Sequence, residues 1–404
     1  MKIASLRTKF IIAVLLIAFS ASAKEKDQVI YKDRKNFYGR DTTVLSLDFS
    51  SIKYPASIDA FHPLFHLPPI RQDTTGTCWS FSAVSFFESE LNRMHGLEIP
   101  LSRMYIVYWE YVEKVRRYVR EKAESLVDQG SQHNAVIERM KQYGIVRQSD
   151  YSGLLEGRAA FDHRPLLREI RKYLDYVKEN QLWHEDQVIA NVKNILNRYM
   201  GEPPAAILFD GKEMSPLDFF QSLDLPLDDY VLFMSFKKIP FWKKDAYDVP
   251  DNWWKSKEFH NVPLDDFYAG IKSAIKKGFS LALAGDVSEP GKDGYEDLAI
   301  VPTFDIPAEY INQDSREFRF NNKTSTDDHG VHLIGYTSFA GQDWFLIKDS
   351  SASAWKGRFL GYHFFSGDYI RLKILAFMVH KDGVPGLMEK FESETYHSAS
   401  IQNR

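Results

Sequence analysis

Hydrophobic and polar positions along the chain follow a few distinct spacings, and each spacing predicts an element. Near the start, an unbroken apolar run from Phe10 to Phe19 follows the bases Lys2, Arg7 and Lys9 and precedes Ser20-Ala21-Ser22-Ala23. From Cys78 onward, Trp79, Phe81, Val84, Phe86, Phe87 and Leu91 share an apolar face, with Glu88, Glu90 and Arg93 among the polar positions. That spacing predicts a well-buried helix from Cys78 to about His95, stopped by Gly96. Helical spacing returns between about 160 and 225, first in Leu166, Ile170, Leu174 and Val177, then in Val188, Val192, Ile195 and Leu196. Further on, Tyr230 to Phe233 and Ser280 to Gly285 read as strands on either side of an amphipathic helix, Leu264 to Lys277. Tyr336 to Trp344 reads as a hairpin turned at Gly341, leading into a strand from Trp344 to Lys348.

The opening pattern is that of a secretory signal peptide over residues 1–23: a basic start, a short apolar middle and a small-residue cleavage site. Its apolar run is too short for a comfortable permanent span, although an uncleaved anchor is the alternative. No cysteine follows it to carry a lipid, and no other stretch is apolar enough to be transmembrane. The mature protein is therefore expected to be exported, periplasmic or secreted, with no membrane attachment. Residues 24–60 are an N-terminal extension without the long helical pattern of an inhibitory pro-segment.

Composition narrows the function. The chain has 404 residues, 44% hydrophobic and 26% charged, which is ordinary globular usage and long enough for two or three lobes. With 51 Lys+Arg against 55 Asp+Glu there is no basic excess of the kind a nucleic-acid binder carries. The one cysteine can form neither an internal disulfide nor a multi-cysteine zinc site. Asp327, Asp328, His329 and His332 do not complete a metal site, and no phosphate loop or dinucleotide motif is present, so neither metal nor cofactor is expected. In an exported protein a lone thiol is either buried and inert or kept because it reacts.

The setting of Cys78 favours reaction. It follows a short polar loop containing Gly76 and opens the predicted helix. A thiol in a first helical turn feels the helix dipole and unpaired backbone N–H groups, which favour the thiolate. The same N–H groups can receive the oxygen of a tetrahedral intermediate. Gln72, six residues before Cys78, followed by Cys-Trp-Ser-Phe-Ser, resembles the active-site segment of the papain-like cysteine peptidases. The resemblance implies that Gln72 and the Cys78 N–H form the oxyanion hole.

Two downstream segments match as well. Asp-Asp-His-Gly-Val-His-Leu-Ile-Gly-Tyr, residues 327–336, is similar to the family's histidine segment and assigns His329 as the catalytic base, with His332 a structural neighbour. Lys348-Asp349-Ser350-Ser351 stands where the family has Lys-Asn-Ser-Trp, so Asp349 takes the orienting position. A carboxylate there can hold the histidine and raise its pKa. Ser351 replaces a tryptophan that covers the histidine bond, and loss of that cover is expected to admit water. Gly130-Ser131, with the helix ending Tyr143-Gly144-Ile145, is similar to the family's substrate-pairing segment, which implies Gly130 and Ser131 as substrate contacts.

Residues 99–120 resemble the bleomycin hydrolase and aminopeptidase C branch, which carries a helical insertion. The resemblance implies an α+β, papain-like two-lobe fold: a helical left lobe around the active-site helix (61–155), a helical insertion (156–228) and an antiparallel β-barrel-like right lobe (229–385). The tail, 386–404, is polar and unlike the family's short ending. Asp286 and Glu289 read as solvated turn charges, and the aromatic run Phe241 to Trp254 as core and inter-lobe packing. Relatives in this branch are aminopeptidases, often hexameric, so peptide substrates and a homo-oligomer are the expected partners. Two functions stand: a cysteine peptidase of aminopeptidase type, or a catalytically weak or dead relative that binds peptides in the retained cleft.

Overall fold

A computed structural model describes residues 27–35 and 39–402. Residues 1–23, read from the sequence as a signal peptide, and residues 403–404 lie outside the described residues. Two layers position the site: a helical lobe built mainly from residues 78–222, and a ten-stranded sheet. In spatial order the sheet runs Lys243–Asp245, Phe259–Asn261, Tyr230–Met234, Ile374–His380, Leu281–Gly285, His329–Phe339, Gln342–Lys348, Tyr362–Ser366, Leu298–Ala299 and Lys292–Asp293. Most neighbours in it are antiparallel, as the sequence led one to expect; Tyr230–Met234 with Phe259–Asn261, and Leu298–Ala299 with Tyr362–Ser366, are parallel.

The helix Cys78–His95 packs on the strand His329–Phe339 on one side and on the helices Arg103–Arg120 and His133–Tyr143 on the other. Trp79, Phe81, Phe86, Phe87 and Leu91 are buried in that sandwich, each large apolar side chain contributing about 1.5–3 kcal/mol of transfer energy. The helix ends as its sequence directs, at Gly96 in the left-handed region with φ of 69°. Glu88, on the same helix, is buried against Arg103 at 2.7 Å and also accepts from the Leu101 N–H at 2.9 Å.

The insertion is two helices, Arg164–Glu179 and Glu185–Met200, then a small hairpin, Ile207–Phe209 with Lys212–Met214, and a short helix Pro216–Ser222. Its apolar faces share the core of the active-site helix rather than forming a separate one. The strands Tyr230–Met234 and Leu281–Gly285, the helix Leu264–Lys276 and the hairpin through Ala340-Gly341 fall where the hydrophobic pattern puts them.

Two segments take on structure that the sequence reading left open, and one expectation is corrected. The extension contains a hairpin, Val29–Lys35 with Asp41–Leu47. The polar tail forms a helix, Pro385–Gln402, because Phe391 finds a buried place against His260 while Lys390 pairs with Asp266 at 2.7 Å. Asp286 and Glu289 are not solvated: both form ion pairs with the buried Lys373, and Asp286 is fully buried. A cation from another strand neutralises them, which a local reading of that turn does not reveal.

Candidate active site

Cys78 is the first residue of its helix and is partly exposed. Thr77, at the N-cap, makes no side-chain cap bond, and its hydroxyl pairs with that of Thr75 at 2.7 Å instead. The first-turn N–H groups are thus left without a side-chain acceptor at the positive end of the dipole. His329 opens the neighbouring strand. Gly330 lets that strand come close to the helix: a Cβ there would stand 2.8 Å from Ser82 Oγ and 2.9 Å from His133 Nε2. The imidazole of His329 lies close enough to Cys78 for the thiol to raise its pKa. Its Nε2 is engaged by Asp349 Oδ1 at 2.8 Å, which leaves Nδ1 for the sulfur.

Asp349 follows the strand Gln342–Lys348 and is held at both carboxylate oxygens. The Ser351 N–H also donates to Oδ1, at 2.7 Å, while Oδ2 receives His363 Nδ1 at 3.1 Å and faces Lys292 Nζ at 3.9 Å. Asp349 is 1% exposed and His329 7%. The expectation that Ser351 would admit water is therefore corrected. Ser351 caps the carboxylate through its backbone, and the surrounding side chains bury the bond without a tryptophan.

The electrostatics follow from this packing. Burial alone disfavours a charged imidazole at His329, but the Asp349 charge, its hydrogen bond and the Cys78 contact outweigh that and push the group up to about 10. For Asp349, burial pulls upward, yet the His329 charge, hydrogen bonds from His329 and His363 and the nearby Lys292 hold it well below the usual carboxylate range. His133, buried behind the site, is pushed down to about 3 by burial and by His329. Of His329, Asp349 and His133, the group favoured in its protonated form is His329.

Gln72 is drawn in from the other side. Its backbone N–H donates to Ser350 O at 3.0 Å, and its Oε1 accepts from Ser350 Oγ at 2.7 Å. Its Nε2 donates one hydrogen to Thr75 O at 2.6 Å, leaving the second for a ligand. Gly130 is tied in through Gln129, whose Oε1 accepts from Gly76 N at 2.8 Å and whose carbonyl accepts from Trp79 Nε1 at 3.0 Å. Ser131 is different: its hydroxyl is buried and donates to Glu110 Oε1 at 2.5 Å, so only its backbone is available to a substrate. Cys78, His329, Asp349 and Gln72 thus converge, with Gly130 beside them. His363 and Lys292, which hold the second Asp349 oxygen, are missed in the sequence because no local motif links them to it. Among the described residues no group of three or more His, Cys, Asp or Glu is placed to hold a metal ion.

Comparison with known proteins bears on the fold. PepW of Lactobacillus rhamnosis superposes with a TM-score of 0.64, covering 83% of this chain and 84% of that one at 17% identity. The chain has the papain-like fold. In sequence, the papain-like chain is 24% identical to aminopeptidase C of Listeria innocua and 23% identical to that of Listeria monocytogenes, over 54% of its own length in each case. The matched region spans 58% of each of these relatives. No family model matches the chain.

Proposed function

We propose that this protein is an exported cysteine peptidase of aminopeptidase type. The observation that carries the reading is the Cys78–His329–Asp349 chain of contacts at the uncapped start of a buried helix. The papain-like fold and the similarity to proteins named aminopeptidase C support it. Export rests on the 1–23 pattern alone.

The steps follow from the atoms present. His329 Nδ1 holds the thiol proton, and Cys78 Sγ attacks the peptide carbonyl carbon. The carbonyl oxygen takes up the electron pair and is met by the Cys78 N–H and the free Nε2 hydrogen of Gln72. His329 gives its proton to the leaving amine, and the C–N bond breaks to leave a thioester. Water then gives a proton to His329, attacks the thioester carbon and releases the acid; the proton returns to sulfur. Asp349 keeps the ring oriented and favours its charged form throughout.

Hydrolysis of peptide aminomethylcoumarin amides by the native chain tests this. Cys78→Ala and His329→Ala should abolish it, and Gln72→Ala should lower kcat about 100- to 1,000-fold. Equal rates in native and Cys78→Ala protein would overturn the reading.

A further inference from the structure

One side of the cleft is roofed by the chain's own residues. The strands Lys243–Asp245 and Phe259–Asn261 pair at the edge of the large sheet, and the loop 246–258 between them crosses to the helical lobe. Asn252 staples the loop: its Nδ2 donates to Tyr247 O and Ser256 O, each at 3.0 Å, and its Oδ1 accepts from Ser256 N at 2.9 Å. Trp253 docks it, with Nε1 donating to Glu110 Oε1 at 2.6 Å and to Ser131 Oγ at 3.2 Å. Asp251 consequently lies directly on Gly130, where a Cβ would overlap its carboxylate. Nearby, Gln132 Nε2 donates to Asp327 Oδ2 at 2.5 Å and ties the two lobes together two residues before His329. An extended peptide running past Gly130 would need the volume that the Asp251 carboxylate occupies.

The charges in this corner are mostly matched. Glu110 faces Arg139 at 3.3 Å and Asp128 faces Arg171 at 2.8 Å, while Lys114 donates to the carbonyls of Asp128 and Gly130. Burial pushes the Asp327 carboxyl up to about 8, which leaves it largely neutral at pH 7. Asp251 has no hydrogen-bond donor among the described residues. Burial raises its carboxyl to about 6, with Lys114 opposing and Asp128 adding to the rise. A cation reaching Asp251 would offset that burial cost.

We propose that the 246–258 loop is the specificity element of this cleft: it closes the cleft at Gly130, and Asp251 receives the α-ammonium group of a peptide with a free N-terminus. The proposal rests on the peptidase reading for its substrate class. It assigns the role to a hairpin loop of the right lobe rather than to the C-terminal helix, whose side chains through Thr395 pack on Trp242, His260 and Asp266.

Two measurements test it together. The first is turnover of free and N-acetylated amino-acid aminomethylcoumarin amides by native and Asp251→Asn protein. The second is calorimetric binding of free and N-acetylated trialanine to Cys78→Ala and to Cys78→Ala with Asp251→Asn. Native protein should prefer the free amine. Asp251→Asn should raise KM for the free amine about 10- to 100-fold and leave the acetylated form unchanged, with trialanine binding lost in parallel. Asp251→Lys should instead favour N-succinyl substrates. Turnover and binding that ignore all Asp251 variants would overturn the ammonium site and leave the peptidase standing. Asp251-dependent binding of free trialanine without turnover would overturn the peptidase and keep the site. Neither binding nor turnover would overturn both.

Discussion

Asp349 brings a full charge to a position where an amide could only offer a hydrogen bond, and the protein surrounds that charge with His329, His363 and Lys292. The pair has a defined pH window. His329 is raised from an ordinary value of about 6.5, so its contribution to stability is complete below that value and is lost as pH rises through about 10. Asp349 is depressed, so its contribution is present above about 3.9 and fades as pH falls through its lower folded value. Asp349→Asn should therefore bring the alkaline limb of kcat/KM down from near 10 toward the ordinary histidine range. It should also destabilise the protein more at pH 7 than above pH 10. A pH–rate profile with an unmoved alkaline limb would contradict this. At this scale Cys78, Gln72, His329 and Asp349 were legible because each stands in a short motif. His363, Lys292 and Asp251 were not, because folding alone brings them to their partners.

Among the elements, the active-site helix depends on its seating. Glu88 and Arg103 join it to the next helix inside the core, both nearly fully buried. Removing one partner leaves the other charged and dry, so Arg103→Met should cost about 3–5 kcal/mol in urea unfolding. The exposed pair Lys237–Asp314 is the contrast, and Lys237→Met should cost far less than Arg103→Met. Equal costs would show that burial does not set the difference. The helix at Cys78 and the hairpin at Gly341 were legible because hydrophobic period and a left-handed glycine agree there. The C-terminal helix was not, since its one strong anchor, Phe391, is buried by residues far away in sequence. Asp286 and Glu289 were misread for the same reason: their counter-ion Lys373 lies more than 80 residues downstream.

In the whole molecule the helical lobe carries Cys78 and the large sheet carries His329. The aromatic run ending at Trp253-Trp254 was legible as packing between lobes, and Trp253 does pack there. That it holds a carboxylate over Gly130 depends on the three-dimensional path of the loop. The central claim is that Cys78 and His329 form a reactive ion pair across the lobes. The rate of Cys78 alkylation against pH, read by intact mass in native and His329→Ala protein, tests it most directly, because no other thiol is present. The account predicts fast alkylation well below the ordinary thiol value of about 8.5, falling to ordinary thiol behaviour in His329→Ala. A native thiol that titrates near that value, or does not react until the protein unfolds, would contradict it.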